Sequence, residues 1–238
     1  MPQKIVVALE GMDGAGKSSL ALFARKLCEE HGQPFTLIGR REAYANPLIG
    51  RLTRLLAEEA GGLSPSAETC VRLAREHERA ALAAQAQPGI VILDRFVLSC
   101  LALARFHGQD IEPLTGLLRE ITYRANLHAT VLVRVPFETA WDRVKARRQM
   151  LGHRKPLDEN QMRRMATLLE DEFGRGQLTG QQWVVDNTET IMSAEEQLAS
   201  YLAAHFQKGR ARTPAPLEGT GDDSMLVPAP SLLATDEP

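Results

Sequence analysis

One short run constrains this chain more than anything else in it. Gly11-Met12-Asp13-Gly14-Ala15-Gly16-Lys17-Ser18 fits G-x-x-x-x-G-K-S/T, directly after the apolar stretch Ile5 to Leu9 and directly before an amphipathic helical pattern. Glycines let successive backbone N–H groups turn inward, because a Cβ would block the turns that need φ > 0. The turn runs into a helix N-terminus, where unpaired N–H groups and the positive end of the helix dipole favour anions. Gly11, Asp13, Gly14, Ala15, Gly16, Lys17, Ser18 and Ser19 are therefore the expected cradle of a polyphosphate. Lys17 is expected to reach the outer phosphates as a point charge, and the Ser18 hydroxyl to ligate Mg²⁺. The bland alternative is a glycine-rich surface turn that precedes a helix.

The rest of the chain supplies a frame for that turn. Short apolar runs at Ile5 to Leu9, Phe35 to Ile38, Ile90 to Leu93, Thr130 to Val135 and Trp183 to Val185 alternate with longer helical patterns. This order predicts an α/β fold, a five-stranded parallel sheet with helices on both faces. Leu20, Phe23 and Leu27 recur at helical spacing up to Gly32, and Leu48, Leu52, Leu55 and Leu56 do the same. Ser64 before Pro65 marks a cap and first turn of a helix running to about Ala86, ahead of Pro88-Gly89. Further helices are predicted near Ser99 to Phe106, Pro113 to Asn126 and Ser193 to His205. After Lys208 the composition shifts to Pro, Gly, Thr and acidic residues, so residues 208–238 are expected to be a disordered tail outside a domain of residues 1–207.

Composition narrows the partners. With 238 residues and 44% hydrophobic positions the chain can bury one substantial core. A formal net charge of −2 argues against a general affinity for nucleic acid or anionic membrane, so a phosphate site must be local. Cys28, Cys70 and Cys100 are odd in number and far apart, which argues against a disulfide framework and for a reducing compartment. No secretion signal and no bilayer-length apolar run is visible, so a cytoplasmic protein acting on a small molecule is expected.

A second constellation stands at the end of the third strand. Val91-Ile92-Leu93 delivers Asp94, suited to holding the Mg²⁺ hydration shell, and Arg95 follows at once. Parallel sheets bind ligands in the crevice outside such strand ends. A plain ion pair is the alternative for these two residues.

With these residues in view, the chain resembles the thymidylate kinases, within the nucleoside monophosphate kinase superfamily, over about residues 3 to 205. The carriers are "VALEGMDGAGKSSLA" from Val7, "DRFVLSCLA" from Asp94, "VPFETAWDRVKARR" from Val135 and "WVVDNTETIMSAEEQL" from Trp183, in the expected order. Glu10 and Asp13 match the Glu-Gly-x-Asp-Gly form of that family's loop, and Ser99 its Asp-Arg-Tyr-x-x-Ser motif. The resemblance implies transfer of the γ-phosphoryl of ATP to the 5′-phosphate of a nucleoside monophosphate, dTMP by default, with Mg²⁺, in a homodimer formed through the helices after the second strand. It also implies that Arg95 and Arg41 grip the acceptor phosphate, that Asp13 accepts from the acceptor's 3′ hydroxyl, and that Arg72 or Arg75 lies near the pyrimidine edge. The segment from Arg143 to Lys155, with Lys145, Arg147, Arg148 and Arg154, reads as a basic lid over about residues 143–158. Position 14 is Gly, so charge in the transition state must be met by lid arginines, Arg147, Arg148 or Arg154. A solvated basic helix face is the alternative.

The departures from the family bear on the acceptor. Its members usually follow the second strand with Thr-Arg-Glu-Pro-Gly-Gly, whereas Arg40-Arg41-Glu42-Ala43-Tyr44 stands here, and Leu103 and Ala104 replace an aromatic residue and Gln. Two rival readings follow. One is a nucleoside or other hydroxyl kinase with Glu42 as base, because a hydroxyl must lose a proton on attack. The other is a nucleotide-binding regulator that hardly turns over.

Overall fold

The structure, a computed structural model, describes residues 3–58, 63–151 and 158–206. Five strands, β1 (Ile5–Glu10), β2 (Phe35–Ile38), β3 (Ile90–Asp94), β4 (Leu127–Arg134) and β5 (Gln181–Asp186), pair in the order β2-β3-β1-β4-β5, every pair parallel. β1 is apolar through Leu9 because it is central and covered on both faces. Its alternation sorts the core. Ile5, Val7 and Leu9 share a layer with Leu20, Ala24 and Cys28 of α1 (Lys17–Glu30) and with Leu198 and Leu202 of α8 (Ile191–Phe206). Val6 and Ala8 share the opposite layer with Leu73, Ala80 and Ala83 of α3 (Pro65–Gln85) and with Leu118 and Ile121 of α5 (Thr115–Ala125).

The chain leaves β1 toward β2 on one side of the sheet order and leaves β3 toward β4 on the other. That reversal opens a crevice at the carboxyl ends of β1 and β3, where parallel sheets hold ligands. The Gly11 to Gly16 turn and the Asp94-Arg95 pair both emerge there.

The expected α/β sheet is present, with differences at its margins. β4 starts at Leu127, ahead of the predicted Thr130: Leu127 pairs with Val6 and Ala129 with Val7, and His128, which breaks the apolar run, sits at the register shift between them; the strand stops at Arg134, leaving Val135 outside. β5 extends the predicted Trp183 to Val185 by two residues before and one after. The helix predicted from Ser64 is α3, and the Ser64 hydroxyl accepts from Ala67 N as its cap. The helix predicted at Ser99 is α4 (Val97–Phe106), two residues longer at its start. Pro113 sits in a short 3₁₀ turn, Glu112–Leu114, ahead of α5.

The 47–58 pattern is α2 (Pro47–Glu58). After β4 comes α6 (Phe137–Leu151), which takes in the first part of the predicted lid. α7 (Glu159–Arg175) stands where no helix is predicted. Its signals are present all the same: Asp158 and Gln161 form a reciprocal capping box, and Met162, Leu169 and Phe173 recur on one buried face. The tail at 208–238 and the lid residues 152–157 lie outside the described residues. Among the described residues no helix is long and apolar enough to cross a membrane.

Candidate active site

The turn after β1 is built by glycine backbone. Gly11, Gly14 and Gly16 have φ of 144°, 86° and 99°, values an L side chain resists. Close packing forbids a side chain as well: a Cβ on Gly14 would sit 2.3 Å from Ala140 O of α6, and one on Gly16 2.5 Å from Asn187 Nδ2. Asn187, just past β5, donates from Nδ2 to Ala15 O at 2.8 Å and from its backbone to Arg134 O at 2.8 Å. Arg143 Nη1 donates to Gly14 O at 3.2 Å. The turn is therefore clamped by α6 on one flank and by the loop after β5 on the other.

Gly16 caps α1 without a side-chain hydrogen bond, and the first turn of α1 holds no acidic residue. Among the described residues no side chain caps its N–H groups, the condition for an anion site. Lys17 is buried, and Nζ donates to Gly11 O at 3.0 Å and Met12 O at 2.8 Å. Burial, then the nearby Arg95 charge, push its pKa down to about 7, against the pull of Asp13, Asp94 and Glu10.

Opposite the turn, β3 ends in an elbow. Arg95 is held at φ 60°, in the left-handed region, with its N–H on Leu9 O at 2.9 Å. Its side chain donates from Nη1 to Ser99 Oγ at 3.0 Å and from Nη2 to Asp13 Oδ1 at 2.5 Å. Glu10, fully buried at the end of β1, locks this elbow from below. It accepts from Phe96 N, Ser99 N and Ser99 Oγ at 2.7, 3.2 and 2.5 Å. Burial raises the Glu10 carboxyl above its usual range while Arg95 and those hydrogen bonds oppose the rise. Burial also works against the charge on Arg95, but Asp13, Glu10 and Asp94 outweigh it and hold the guanidinium ionised. Arg95 in turn keeps the Asp13 carboxyl well below the ordinary carboxylate range.

These pieces face one cleft of about 580 Å³. Its lining comes from the glycine turn and the start of α1 (Asp13, Gly14, Gly16, Lys17, Ser18 and Ser19), from the segment after β2 (Gly39, Arg40, Arg41 and Glu42), from the end of β3 (Asp94 and Arg95) and from α6 (Arg147). Gly11 and Ala15 are buried in the body of the turn, and Ser99 stands behind Arg95. Arg40, which sequence reasoning passed over in favour of Arg41, lines the cleft beside it. Arg72 and Arg75 are not among the lining residues: Arg72 pairs with Glu68, and the buried Arg75 with Glu76 at 2.7 Å. In the predicted lid, Arg143 is spent on Gly14 O and Lys145 on Asp142 at 2.7 Å, which leaves Arg147 as the lid cation facing the cleft among the described side chains. The side chain of Arg148, and Arg154 and Lys155 entirely, lie outside the described residues.

The arrangement suits two anions meeting. The glycine cradle and bare helix end fit a polyphosphate, and Ser18 and Asp94 offer the oxygen donors with which Mg²⁺ is held while keeping most of its waters. The guanidiniums of Arg40, Arg41 and Arg95 fit a second anionic group, which planar forks grip two oxygens at a time.

A family model described as "Thymidylate kinase" matches residues 9–188, from the end of β1 past Asn187. Curated relatives carry the same description. One from Xanthomonas campestris pv. campestris is 28% identical over 218 residues, 90% of this chain and 91% of its own length. One from Mycoplasma pneumoniae is 32% identical over 186 residues, 72% of this chain and 84% of its own.

Proposed function

The chain belongs to the thymidylate kinase family, and we propose that it moves the γ-phosphoryl of ATP to the 5′-phosphate of a nucleoside monophosphate, with dTMP as the acceptor. The observation that carries this reading is that one cleft is lined both by the glycine turn with Lys17 and by the three guanidinium residues Arg40, Arg41 and Arg95. In the transfer an oxygen of the acceptor phosphate forms the new bond to the γ-phosphorus, and the bond to the bridging oxygen breaks, leaving its electrons on ADP. The acceptor oxygen is already ionised, so no general base is required, and positioning with charge neutralisation does the catalysis.

Each residue then has a task. Gly11 to Gly16 and the N–H groups of Lys17, Ser18 and Ser19 hold the donor phosphates, and Lys17 turns from its own loop carbonyls to the outer ones. Ser18 and Asp94 hold Mg²⁺, which when bound neutralises charge between the phosphates. Arg41 and Arg95 hold the acceptor phosphate, with Arg40 added here to that set. Asp13 orients Arg95 and accepts from the acceptor sugar. Arg147, with Arg148 and Arg154, meets the charge that spreads over the transferring group. A cytoplasmic homodimer completes the reading; light scattering tests its oligomeric part.

A coupled assay of ADP release tests the whole, offering ATP with dTMP, with other nucleoside monophosphates and with free nucleosides. Turnover with dTMP well above the rest supports the proposal; ADP release with nucleosides alone refutes it. Glu42, which lines the cleft, is the base that a hydroxyl acceptor would need. Loss of turnover in Glu42→Gln with free nucleosides as substrates would favour that second reading.

A further inference from the structure

Behind the cleft lies a buried ionic cluster that phosphate binding does not use. Glu76 of α3, 1% exposed, accepts at Oε1 from Arg75 Nε and Nη2 at 2.9 and 2.7 Å, and at Oε2 from Arg79 Nη1 at 2.5 Å. Arg79 is wholly buried. Its Nη2 donates to Ile38 O at 2.7 Å and to Asp94 O at 3.1 Å, while its Nε has no hydrogen-bond partner among the described residues.

Those two carbonyls close β2 and β3. Ile38 pairs with Leu93 in the sheet, so Asp94 lies one residue beyond the matched pair, at the start of the left-handed elbow. A carbonyl at a strand end needs a donor that the ladder no longer supplies. An aliphatic side chain would fill this inner face of α3 without the desolvation cost of a guanidinium. What the guanidinium adds is geometry: a rigid planar fork that reaches a carboxylate and two chain ends at once. Gly39, Arg40 and Arg41 follow the first of those ends, and Arg95 follows the second.

We propose that Arg79 is a positioning residue for phosphoryl transfer: by bridging the ends of β2 and β3, and itself held by Glu76, it sets the separation between the Arg40-Arg41 arm and Arg95. It touches no substrate. The kinase reading above enters only through what those arginines grip.

Arg79→Lys is the main test, because it keeps the buried charge opposite Glu76 but replaces the fork with a single point donor. The acceptor's kcat/KM should fall about 10- to 100-fold, the scale of a small misplacement at a distance, while affinity for a non-hydrolysable ATP analogue stays within about twofold. Hydrogen exchange should quicken at residues 39–42 and 95–97 and stay slow in β1. Glu76→Gln should move the same readouts in the same direction by less. Unchanged acceptor kinetics, equal weakening of donor and acceptor, or faster exchange throughout the sheet in both variants would each overturn the proposal, the last two by making the cluster a support of the fold alone. Should the unaltered protein phosphorylate no nucleoside monophosphate, the kinase reading fails by itself, and exchange at the two strand ends still decides the role of Arg79.

Discussion

Arg95 Nη2 donates to Asp13 Oδ1 at 2.5 Å, joining the end of β3 to the turn after β1 across the mouth of the cleft. The two residues are separated by 82 positions in the chain. The pair holds the Arg95 guanidinium, presented from a left-handed backbone, toward the space an acceptor anion would fill.

Removing the Arg95 side chain therefore has two separable effects. Arg95→Ala and Arg95→Gly both lose the Asp13 pair and should lose turnover by about 10² or more. Only the glycine variant relieves the backbone at φ 60°, so it should be the more stable of the two by about 1 kcal/mol in urea denaturation. Equal midpoints would mean that the elbow carries no strain.

Lys17 makes stability depend on pH with a definite sign. Its folded pKa of about 7 lies below its ordinary 10.5, so its contribution is complete above 10.5 and is lost as pH falls toward 7. In the absence of nucleotide, Lys17→Met should gain on the unaltered protein across that window, by at most about 1.4 kcal/mol per pH unit. The same variant should no longer bind the triphosphate. A stability difference that is flat with pH, measured by denaturant titration, would contradict the assignment.

A triphosphate arriving beside Lys17 restores its charge. Binding at pH 7 to 8 should therefore take up a proton, seen as a calorimetric heat that varies with the ionisation enthalpy of the buffer. Lys17→Arg, which stays charged throughout, should show less of that dependence.

Gly14→Ala meets two obstacles together, φ of 86° and the Ala140 carbonyl at 2.3 Å. Either the turn or α6 must shift, and the Arg143 contact to Gly14 O goes with it. Donor affinity should drop at least about tenfold, with a stability loss of about 1–3 kcal/mol. Thermal unfolding and nucleotide titration of the one variant check both.

Among the described side chains, Arg147 is the lid cation that lines the cleft. Arg147→Ala should lower turnover by about 10³, the low end for an arginine meeting transition-state charge, and change donor affinity little. A normal rate would shift that role to the arginines that follow it.

The sheet was readable because buried parallel strands announce themselves as short apolar runs, and four of the five are placed to within a residue or two. β4 reaches beyond its apolar run because Leu127 still pairs with Val6 across a register shift at His128, an irregularity that no alternation of side chains signals. α7 is hard to see in the sequence despite its Asp158 and Gln161 cap, since its exposed face is crowded with charge. Arg79 and Glu76 read as ordinary polar positions of a helix. Nothing local distinguishes a guanidinium that binds two strand ends from one that faces water.

The strand, glycine turn and helix that make an anion cradle are legible in the order of residues, because they follow from backbone torsions and from hydrogen bonds within a few positions. Tertiary structure alone decided which cations share the cleft and which are spent elsewhere. Arg79 reaches Ile38 over 41 positions and Asn187 reaches Ala15 over 172. Such partners meet only after the sheet has closed, so their identity depends on packing and not on neighbouring residues.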